Sequence, residues 1–381
     1  MYERYFSLTI NPSRPDQLKI AIVAGEKSGD DLGGPLMASL NKLHTDISFI
    51  GVGGNKMSDE GLSSFFSLER IAVMGIIEPL LKLRELLSLR RKLNNFLLKE
   101  KPDIFIGIDS PDFNLPIAKF LKKELGIKTV QYVSPSVWAW RKGRIKSMEN
   151  SIDTVITLFP FEGDVYKESK VNTCYVGHPL AYKLNGDINK KESEGENIDI
   201  ALLPGSRRSE IVMLADEMIK AAKVLKEKNN NYKFHMPLSD KNHLSLIKES
   251  LNEVIDISFN NSQEILSKCK MAVITSGTAT LEALLLRTPC VTVYKTNWLS
   301  YKIIKPLLRI DYFSLPNLLY GGVLTPELLQ DDVTSKNIIE GINSIEKKGL
   351  DYFVNEFDKI HSTLKAGGSE TAAKEVYDLL N

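Results

Sequence analysis

An aspartate that follows an apolar run is well placed in this sequence to take a proton from a substrate. Asp109 ends a strand predicted over 103–109 and lies in the segment Gly-Ile-Asp-Ser-Pro-Asp-Phe-Asn, 107–114. Open α/β sheets bind ligands in the crevice outside the carboxyl ends of their strands. We therefore expect Asp109 to point into such a crevice and to act as a general base toward an attacking hydroxyl group. The alternative is a helix cap, a role that Asp112 or Asn114 could also fill.

A second carboxylate stands in a glycine-containing turn near the start of the chain. The segment Gly-Glu-Lys-Ser-Gly-Asp, 25–30, follows one predicted strand and opens a predicted helix. Free N–H groups at a helix start favour anions, but the spacing matches neither the dinucleotide fingerprint nor the P-loop. We expect Glu26 to contact a ligand hydroxyl group. A structural turn capped by Ser28 or Asp30 is the alternative.

Two turns in the second half of the chain could hold a diphosphate. Arg207 lies in Leu-Pro-Gly-Ser-Arg-Arg-Ser-Glu, 203–210, after a predicted strand, and a guanidinium group can bind a diphosphate through two hydrogen bonds. The segment Ser-Gly-Thr, 276–278, opens a helix whose N–H groups can cradle the same group. Glu282 follows Thr278 by one turn and could bind a ribose diol. A solvated turn capped by Ser206 and a bare helix cap are the alternatives.

Aromatic and imidazole groups give weaker signals. Trp138 and Trp140 lie in a proline-containing loop, 133–141, where they could stack on a sugar or seal the edge of the sheet. His178, within Gly-His-Pro, could titrate near neutral pH or bond to the backbone at a hinge.

Short apolar runs alternate with amphipathic stretches along the chain. This alternation predicts the strands and helices that carry the candidate residues. Strands are predicted at 18–24, 47–51, 103–109, 128–133, 154–157, 173–176, 199–203, 233–236, 254–257, 271–274 and 290–293. Helices are predicted at 29–43, 79–99, 114–125, 162–169, 210–226, 241–251, 278–285 and 301–308, with three more after residue 334. Right-handed connections between such elements give doubly wound parallel sheets.

The domain organisation follows from one polar stretch. Residues 185–197 carry alternating charge and no apolar periodicity, so they are the predicted linker. The predicted fold class is α/β, with two Rossmann-like halves, 18–184 and 198–349, facing a cleft. A helical tail completes the chain, and its residues 350–381 are predicted to pack on the first half.

Composition excludes several function classes. The 381 residues suit two α/β domains, and 49 basic against 48 acidic residues leave a net charge of +1, which argues against nucleic-acid binding. The three isolated cysteines predict neither a metal site nor a disulfide framework and favour a reducing cytoplasm. Residues 1–17 lack the apolar region of a secretory signal, and no stretch reaches the ~20 apolar residues of a membrane span. If the protein meets lipid, we expect it to do so from the surface.

One apolar stretch could provide that contact. Residues 71–81 are unusually apolar for a loop and precede the basic residues Arg84, Arg90, Arg91 and Lys92, which could meet acidic head groups. Burial in the core is the alternative. The predicted membrane or acyl-chain contacts are Val73, Met74, Ile76, Ile77, Leu80 and Met213.

Eleven segments in the same order, from about residue 18 to 335, carry a family resemblance. They are AGEKSGD (24–30), GVGG (51–54), IAVMGIIEPL (71–80), KPDIFIGIDSPDFN (101–114), QYVSPSVWAWR (131–141), FPFE (159–162), GHP (177–179), LPGSRRSE (203–210), SGTATLE (276–282), DYFSLPNLL (311–319) and PELLQ (326–330). With these segments the chain resembles the lipid-A-disaccharide synthases, which are GT-B glycosyltransferases of family 19.

The resemblance implies roles for individual residues. It implies that Asp109 is the catalytic base and that Glu26 and Ser28 lie near the acceptor or the reaction centre. The residues implied to bind the UDP-sugar are Ser206, Arg207, Ser276, Gly277, Thr278, Glu282, Asn317 and Gln330.

The resemblance also implies the reaction and its setting. The family joins UDP-2,3-diacylglucosamine to 2,3-diacylglucosamine 1-phosphate (lipid X), which releases UDP and forms a β-1,6-linked disaccharide with inversion. It implies no cofactor or metal, peripheral contact with the cytoplasmic face of the inner membrane, and a possible homodimer. Another UDP-sugar enzyme of this fold, such as a UDP-N-acetylglucosamine epimerase, and a nucleotide-sugar sensor without turnover remain the alternatives.

Overall fold

Two parallel β-sheets form the frame of the protein. The computed structural model describes residues 17–71, 82–137, 143–186, 197–249, 254–298, 301–302, 305 and 310–380. Every pair of neighbouring strands in both sheets is parallel. Among the described residues, no helix combines the length and the apolar character that crossing a membrane requires.

The first sheet has seven strands in the order β3-β2-β1-β4-β5-β6-β7. They are β1 (Leu18–Ala24), β2 (Ile47–Val52), β3 (Ser63–Ser64), β4 (Ile104–Ile108), β5 (Lys128–Tyr132), β6 (Thr154–Thr157) and β7 (Asn172–Tyr175). All five residues of β4 are buried, as expected for a strand covered by helices on both faces. The strand order reverses between β1 and β4, which makes this the point where the crevice opens.

The second sheet repeats the pattern with six strands in the order β10-β9-β8-β11-β12-β13. They are β8 (Ile198–Leu203), β9 (Tyr232–Leu238), β10 (Ile255–Phe259), β11 (Met271–Thr275), β12 (Cys290–Tyr294) and β13 (Glu327–Leu329). Here the order reverses between β8 and β11. Both sheets therefore have the doubly wound order that the alternation predicts.

Helices cover the sheets and form the end of the chain. They are α1 (Lys27–Leu43), α2 (Asn55–Asp59), α3 (Leu83–Glu100), α4 (Pro111–Leu125), α5 (Arg144–Glu149), α6 (Leu180–Lys183), α7 (Arg208–Lys228), α8 (Ser262–Lys268), α9 (Thr278–Leu285), α10 (Leu315–Tyr320), α11 (Ser335–Lys348), α12 (Leu350–Thr363) and α13 (Gly368–Asp378). In α3 the buried residues Leu89, Leu93 and Leu97 are four positions apart, which is the spacing of one helix face.

The last two helices divide between the two hydrophobic cores. From α12, Phe353 and Phe357 are buried in the core of the second sheet. From α13, Ala372 and Val376 are buried in the core of the first sheet, and Ser39 of α1 donates a hydrogen bond to Ser369. The domain boundaries remain a prediction.

Several predicted elements have different bounds or a different type. The helices predicted at 162–169 and 241–251 are 3₁₀ segments, Pro160–Tyr166 and Lys241–Leu246. Sequence periodicity does not separate these two helix types when a segment is only one or two turns long. The two-residue strand β3 and the three-residue strand β13 were not predicted, since neither is long enough to show alternation. Most of the predicted helix 301–308 and most of the linker 185–197 lie outside the described residues.

Candidate active site

The strand order of the first sheet reverses between β1 and β4, a position called its switch point. The predicted catalytic residues come together there. Glu26 follows β1 as the residue before α1, Ser28 lies in the first turn of α1, and Asp109 follows β4. Because β1 and β4 are neighbours with Ala24 paired to Ile108, the two turns leave the sheet side by side. The side chains of Glu26 and Asp109 are half-buried and that of Ser28 is exposed.

A hydroxyl group connects the two carboxylates. Ser28 Oγ lies 2.8 Å from Glu26 Oε1 and 3.1 Å from Asp109 Oδ2. Glu26, the residue before α1, makes no side-chain hydrogen bond that caps this helix. Burial, followed by the neighbouring Asp109 carboxyl group, raises the pKa of Glu26. Glu26 therefore takes up a proton at a higher pH than a free glutamate does.

The backbone around Asp109 is strained. Asp109 has φ +55° and Ser110 has φ +36°, a region that residues with a side chain rarely occupy. Asp109 Oδ1 accepts from the N–H of Ser110, the next residue, rather than from an N–H inside α4, so Asp109 is not a cap of that helix. Strained residues of this kind are concentrated at functional sites.

The second switch point encloses a cavity of about 520 Å³. It is lined by the turns that follow β8 and β11, including Ser206, Arg207, Ser276, Gly277 and Thr278. The two predicted halves of the diphosphate site therefore face one cavity. Its volume is in the range of small-molecule binding sites.

Glu210 shapes the first of these turns. Its carboxylate Oε2 accepts from the N–H groups of Ser206 and Arg207, both at 3.1 Å, and the residue in the cap position before α7 is Arg207 rather than Ser206. Arg207 Nη1 lies 3.2 Å from Glu210 Oε1, while 78% of the Arg207 side chain stays exposed. Gly205 has φ +111°, and a Cβ there would lie 2.4 Å from Glu210 Oε2, so a larger residue would displace this carboxylate.

The second turn presents backbone and hydroxyl groups to the cavity. Ser276 Oγ donates to the carbonyl of Phe313 at 2.9 Å, which fixes the orientation of its side chain. Gly277 precedes α9 with φ +155°, so the first N–H groups of the helix are available to an anion.

Three residues predicted to bind the UDP-sugar do not line the cavity. Glu282 accepts a hydrogen bond from Gln263 at 3.0 Å. The buried Asn317 side chain accepts from the N–H groups of Leu324 and Thr325 and donates to Glu327, so it holds local backbone. Gln330 bonds to the N–H and the carbonyl group of Thr296.

Residues that sequence analysis did not select complete the cavity. Pro237, Leu238 and Ser239 line it from the end of β9, and Asn260 and Ser262 line it after β10. The signal that could have found them is their position at the carboxyl ends of β9, which neighbours β8, and of β10, which neighbours β9.

Other residues of the matching segments have structural roles. The buried Asp30 carboxylate accepts from the N–H groups of Gly54, Lys56 and Met57, so it caps α2. Glu162 caps its own 3₁₀ segment through the N–H groups of Leu158 and Phe159.

His178 is a backbone-bonded histidine rather than a group that titrates near neutral pH. Its Nδ1 accepts from the N–H of Leu180 at 3.2 Å, and its ring stacks on Phe159. Burial lowers the pKa of His178 to about 4, so the imidazole is neutral at pH 7.

Several predictions fall on residues that are not described. Val73, Met74, Ile76, Ile77 and Leu80, together with the indole-bearing Trp138 and Trp140, lie outside the described residues. Met213 is described, and it is half-buried against the core of the second sheet. In the described part of the chain, no three His, Cys, Asp or Glu side chains lie together as metal ligands would.

Sequence relatives decide the family. A family model described as lipid-A-disaccharide synthetase matches residues 20–374. The lipid-A-disaccharide synthase of Idiomarina loihiensis is 41% identical over 379 residues, which cover 97% of this chain and 100% of that protein. The one from Pseudomonas putida strain KT2440 is 43% identical over 372 residues, covering 96% and 99%. This chain belongs to the lipid-A-disaccharide synthase family. It is therefore a glycosyltransferase of lipid A biosynthesis.

Solved structures confirm the predicted fold. The glycotransferase of kitacinnamycin has a TM-score of 0.65 at 12% identity and covers 96% of this chain and 100% of its own. The UDP-GlcNAc 2-epimerase of Neisseria meningitidis, solved with UDP-GlcNAc, has a TM-score of 0.59 at 14% identity and covers 95% and 99%. At such identities the likeness shows the two-domain α/β fold of the GT-B type and not a shared reaction.

Proposed function

We propose that the protein transfers 2,3-diacylglucosamine from UDP to the 6-hydroxyl group of 2,3-diacylglucosamine 1-phosphate, with inversion. The products are UDP and the β-1,6-linked disaccharide 1-phosphate. The observation that carries the proposal is the pairing of two switch points. One holds a hydrogen-bonded carboxylate set, Glu26, Ser28 and Asp109, and the other holds a nucleotide-sized cavity.

On the acceptor side, Asp109 takes the proton of the attacking 6-hydroxyl group while its oxygen forms the bond to the anomeric carbon of the donor. Ser28 and the Ser110 N–H fix the orientation of the Asp109 carboxylate, and a positioned base is the group that this step requires. Glu26 contacts the same hydroxyl group of Ser28 and so lies within reach of the acceptor sugar.

On the donor side, the bond from the anomeric carbon to the diphosphate oxygen breaks, and UDP leaves with the electron pair. Arg207 and the N–H groups at the start of α9 stabilise the charge that grows on the leaving diphosphate. Preorganised donors of this kind usually contribute the largest part of transition-state stabilisation. Asn317 contributes indirectly: it donates to Glu327, which accepts from the Phe313 N–H, and the Phe313 carbonyl group accepts from Ser276 at the cavity. Gln330 holds the backbone of Thr296, which follows β12.

The direct experiment incubates the protein with both acylated sugars and measures UDP release and the disaccharide mass. We expect both products to appear together and neither to appear when the acceptor is omitted. An epimerase would change the UDP-sugar without acceptor, and a sensor would bind it without turnover. Either of those results would overturn the proposal.

The protein is also proposed to contact the cytoplasmic face of the inner membrane. Leu83 and Leu87 are exposed on one face of α3, by 48% and 44%, and Arg84 and Arg91 are exposed beside them. Apolar side chains bordered by arginines suit an anionic lipid surface. In sequence, Leu83 follows the predicted contact segment, 71–81, by two positions.

Vesicles that contain anionic lipid test this contact. Leu83→Ser with Leu87→Ser should weaken vesicle binding roughly tenfold or more, because each exposed leucine loses about 1.5–3 kcal/mol of burial in lipid. Val224→Ser, at a residue of α7 that is 37% exposed, is the matched control and should leave binding unchanged. Equal binding by both variants would contradict the membrane contact. The homodimer that the family resemblance implies is a separate proposal. Light scattering tests it by measuring whether the mass in solution is that of two chains.

A further inference from the structure

Two buried amide side chains lie beneath Asp109. Asn114 comes from the first turn of α4 and Gln131 from β5, and both are fully buried. Asn114 Nδ2 donates to the carbonyl of Asp109 at 2.9 Å, and Gln131 Nε2 donates to the same carbonyl at 3.0 Å. One carbonyl oxygen thus receives hydrogen bonds from two different elements.

The surrounding carbonyl groups fix which end of each amide points inward. Asn114 Nδ2 also lies 3.2 Å from the carbonyl oxygens of Val23 and Ile108. Gln131 Nε2 lies 3.4 Å from the carbonyl oxygens of Tyr132 and Val133. An amide oxygen at either position would face three other oxygens, so only the –NH₂ group fits.

The opposite ends of the two amides have no protein hydrogen-bond partner. Asn114 Oδ1 and Gln131 Oε1 are both buried and unpaired among the described residues. A buried unpaired acceptor destabilises the folded state, so the pair costs stability where an apolar side chain would not. Such a feature is expected where it serves the site rather than the core.

The two amides hold strained backbone at the carboxyl ends of β4 and β5. Asp109 and Ser110 have positive φ, and Val133, which follows β5, has φ +76°. The N–H of Asp109 donates to the Tyr132 carbonyl at 2.9 Å, so β4 and β5 enter the strained region together. A Cβ at Gly107 would lie only 2.8 Å from Asn114 Cβ, so the Asn114 side chain packs closely against the backbone of Gly107.

We propose that Asn114 and Gln131 are positioning residues that hold Asp109 in its left-handed backbone conformation and so aim its carboxylate at the acceptor hydroxyl group. They touch no substrate and act only through Asp109. The inference rests on the proposed role of Asp109 as the base. A displacement of about 1 Å in a catalytic group can lower turnover ~10²-fold, so loss of the anchoring bonds should be visible in the rate.

The test replaces each amide with an apolar side chain of similar shape. Gln131→Met and Asn114→Leu should each lower kcat roughly 10–100-fold, with little change in the KM for the UDP-sugar, which binds at the second sheet. The melting temperature should hold or rise, because the unpaired oxygen is removed together with the donor. Thr129→Val is the matched control: it is a fully buried residue of β5 at the opposite end of the strand, bonded to the Ser151 carbonyl and to Asp153. It should lower the melting temperature and leave kcat unchanged.

A double-mutant cycle separates positioning from general loss of structure. If the pair acts through Asp109, Asp109→Asn combined with Gln131→Met should be no slower than Asp109→Asn alone. Multiplying rate losses, or a Gln131→Met protein that melts earlier but keeps its kcat, would overturn the inference while the base assignment survives. An active Asp109→Asn protein would overturn the base assignment itself. If Gln131→Met does not fold, Asn114→Leu supplies the same cycle.

Discussion

Arg207 is the residue whose sequence context and structural position agree most directly. It follows β8 at the switch point and lines the cavity, and most of its side chain is exposed. Its ion pair with Glu210 is an exposed i,i+3 pair, which contributes little to stability. In the proposed mechanism, Arg207 can therefore bind the diphosphate with little loss of stability in the folded protein.

Arg207→Ala should raise the KM for the UDP-sugar roughly 10–100-fold, because hydrogen bonds to a charged group contribute about 1.5–3 kcal/mol. Arg207→Lys keeps the charge but loses the two-bond geometry and should give an intermediate value. Both melting temperatures should stay within about 2 °C of the wild type. Steady-state kinetics at varied donor concentration measures the effect, and an unchanged kcat together with an unchanged KM would remove Arg207 from the donor site.

Other residues could not be assigned from the sequence alone. Asn317 and Asp30 lie in motifs that resemble ligand-binding turns, but both side chains accept hydrogen bonds from backbone N–H groups outside their own helices. The donor to Asn317 is Leu324, and the donor to Asp30 is Gly54. Gln131 begins one of the matching segments, but the sequence did not reveal its partner, since Asp109 is 22 positions away. Polar residue types predict that a hydrogen bond exists, whereas the tertiary fold decides whether its partner is a ligand or the chain.

At the scale of elements, parallel strands were predictable because their buried runs are long and continuous. The adjacency of β1 with β4 and of β8 with β11 follows from the doubly wound order, and it placed both candidate sites at strand ends. Short segments were less predictable. The 3₁₀ segment Pro160–Tyr166 begins at a position set by the Glu162 cap rather than by periodicity.

The connection between β7 and α6 makes a pH prediction. The backbone N–H of His178 donates to the carbonyl group of Leu364, which follows α12. Burial lowers the pKa of the His178 imidazole from 6.5 to about 4. As the pH falls below 6.5, the unfolded chain gains this proton first, so the contribution to stability is complete above pH 6.5 and is lost between 6.5 and 4. At pH 5 the loss is on the order of 2 kcal/mol.

Denaturant unfolding at pH 7 and pH 5 measures this loss. His178→Asn keeps an acceptor for the Leu180 N–H but cannot titrate, so its free energy of unfolding should fall less between the two pH values. Burial also lowers the pKa of His361, but that contribution is common to both proteins and cancels in the comparison. Equal losses in the two proteins would contradict the assignment.

At the scale of the whole molecule, the proposed mechanism divides the reaction between the two sheets. The first presents a hydroxyl-bridged carboxylate pair and the second presents a diphosphate-sized cavity. The composition and the alternation of elements predicted two such halves, and the family resemblance supplied the reaction. The whole tail, 350–381, was predicted to pack on the first half, whereas α12 packs on the core of the second sheet and α13 on the core of the first. The sequence does not separate them, because both are similar amphipathic helices.

Asp109 is proposed to take the proton of the acceptor while the donor is held on the other sheet. Asp109→Asn should reduce turnover ~10²–10⁴-fold, the usual effect of losing a general base, and should leave the affinity for UDP unchanged. Asp112→Asn is the control from the same segment: its side chain is 84% exposed and paired with Arg144, and its turnover should match the wild type. UDP release measured for both variants with saturating acylated substrates decides the question. A near-wild-type rate for Asp109→Asn would contradict the account.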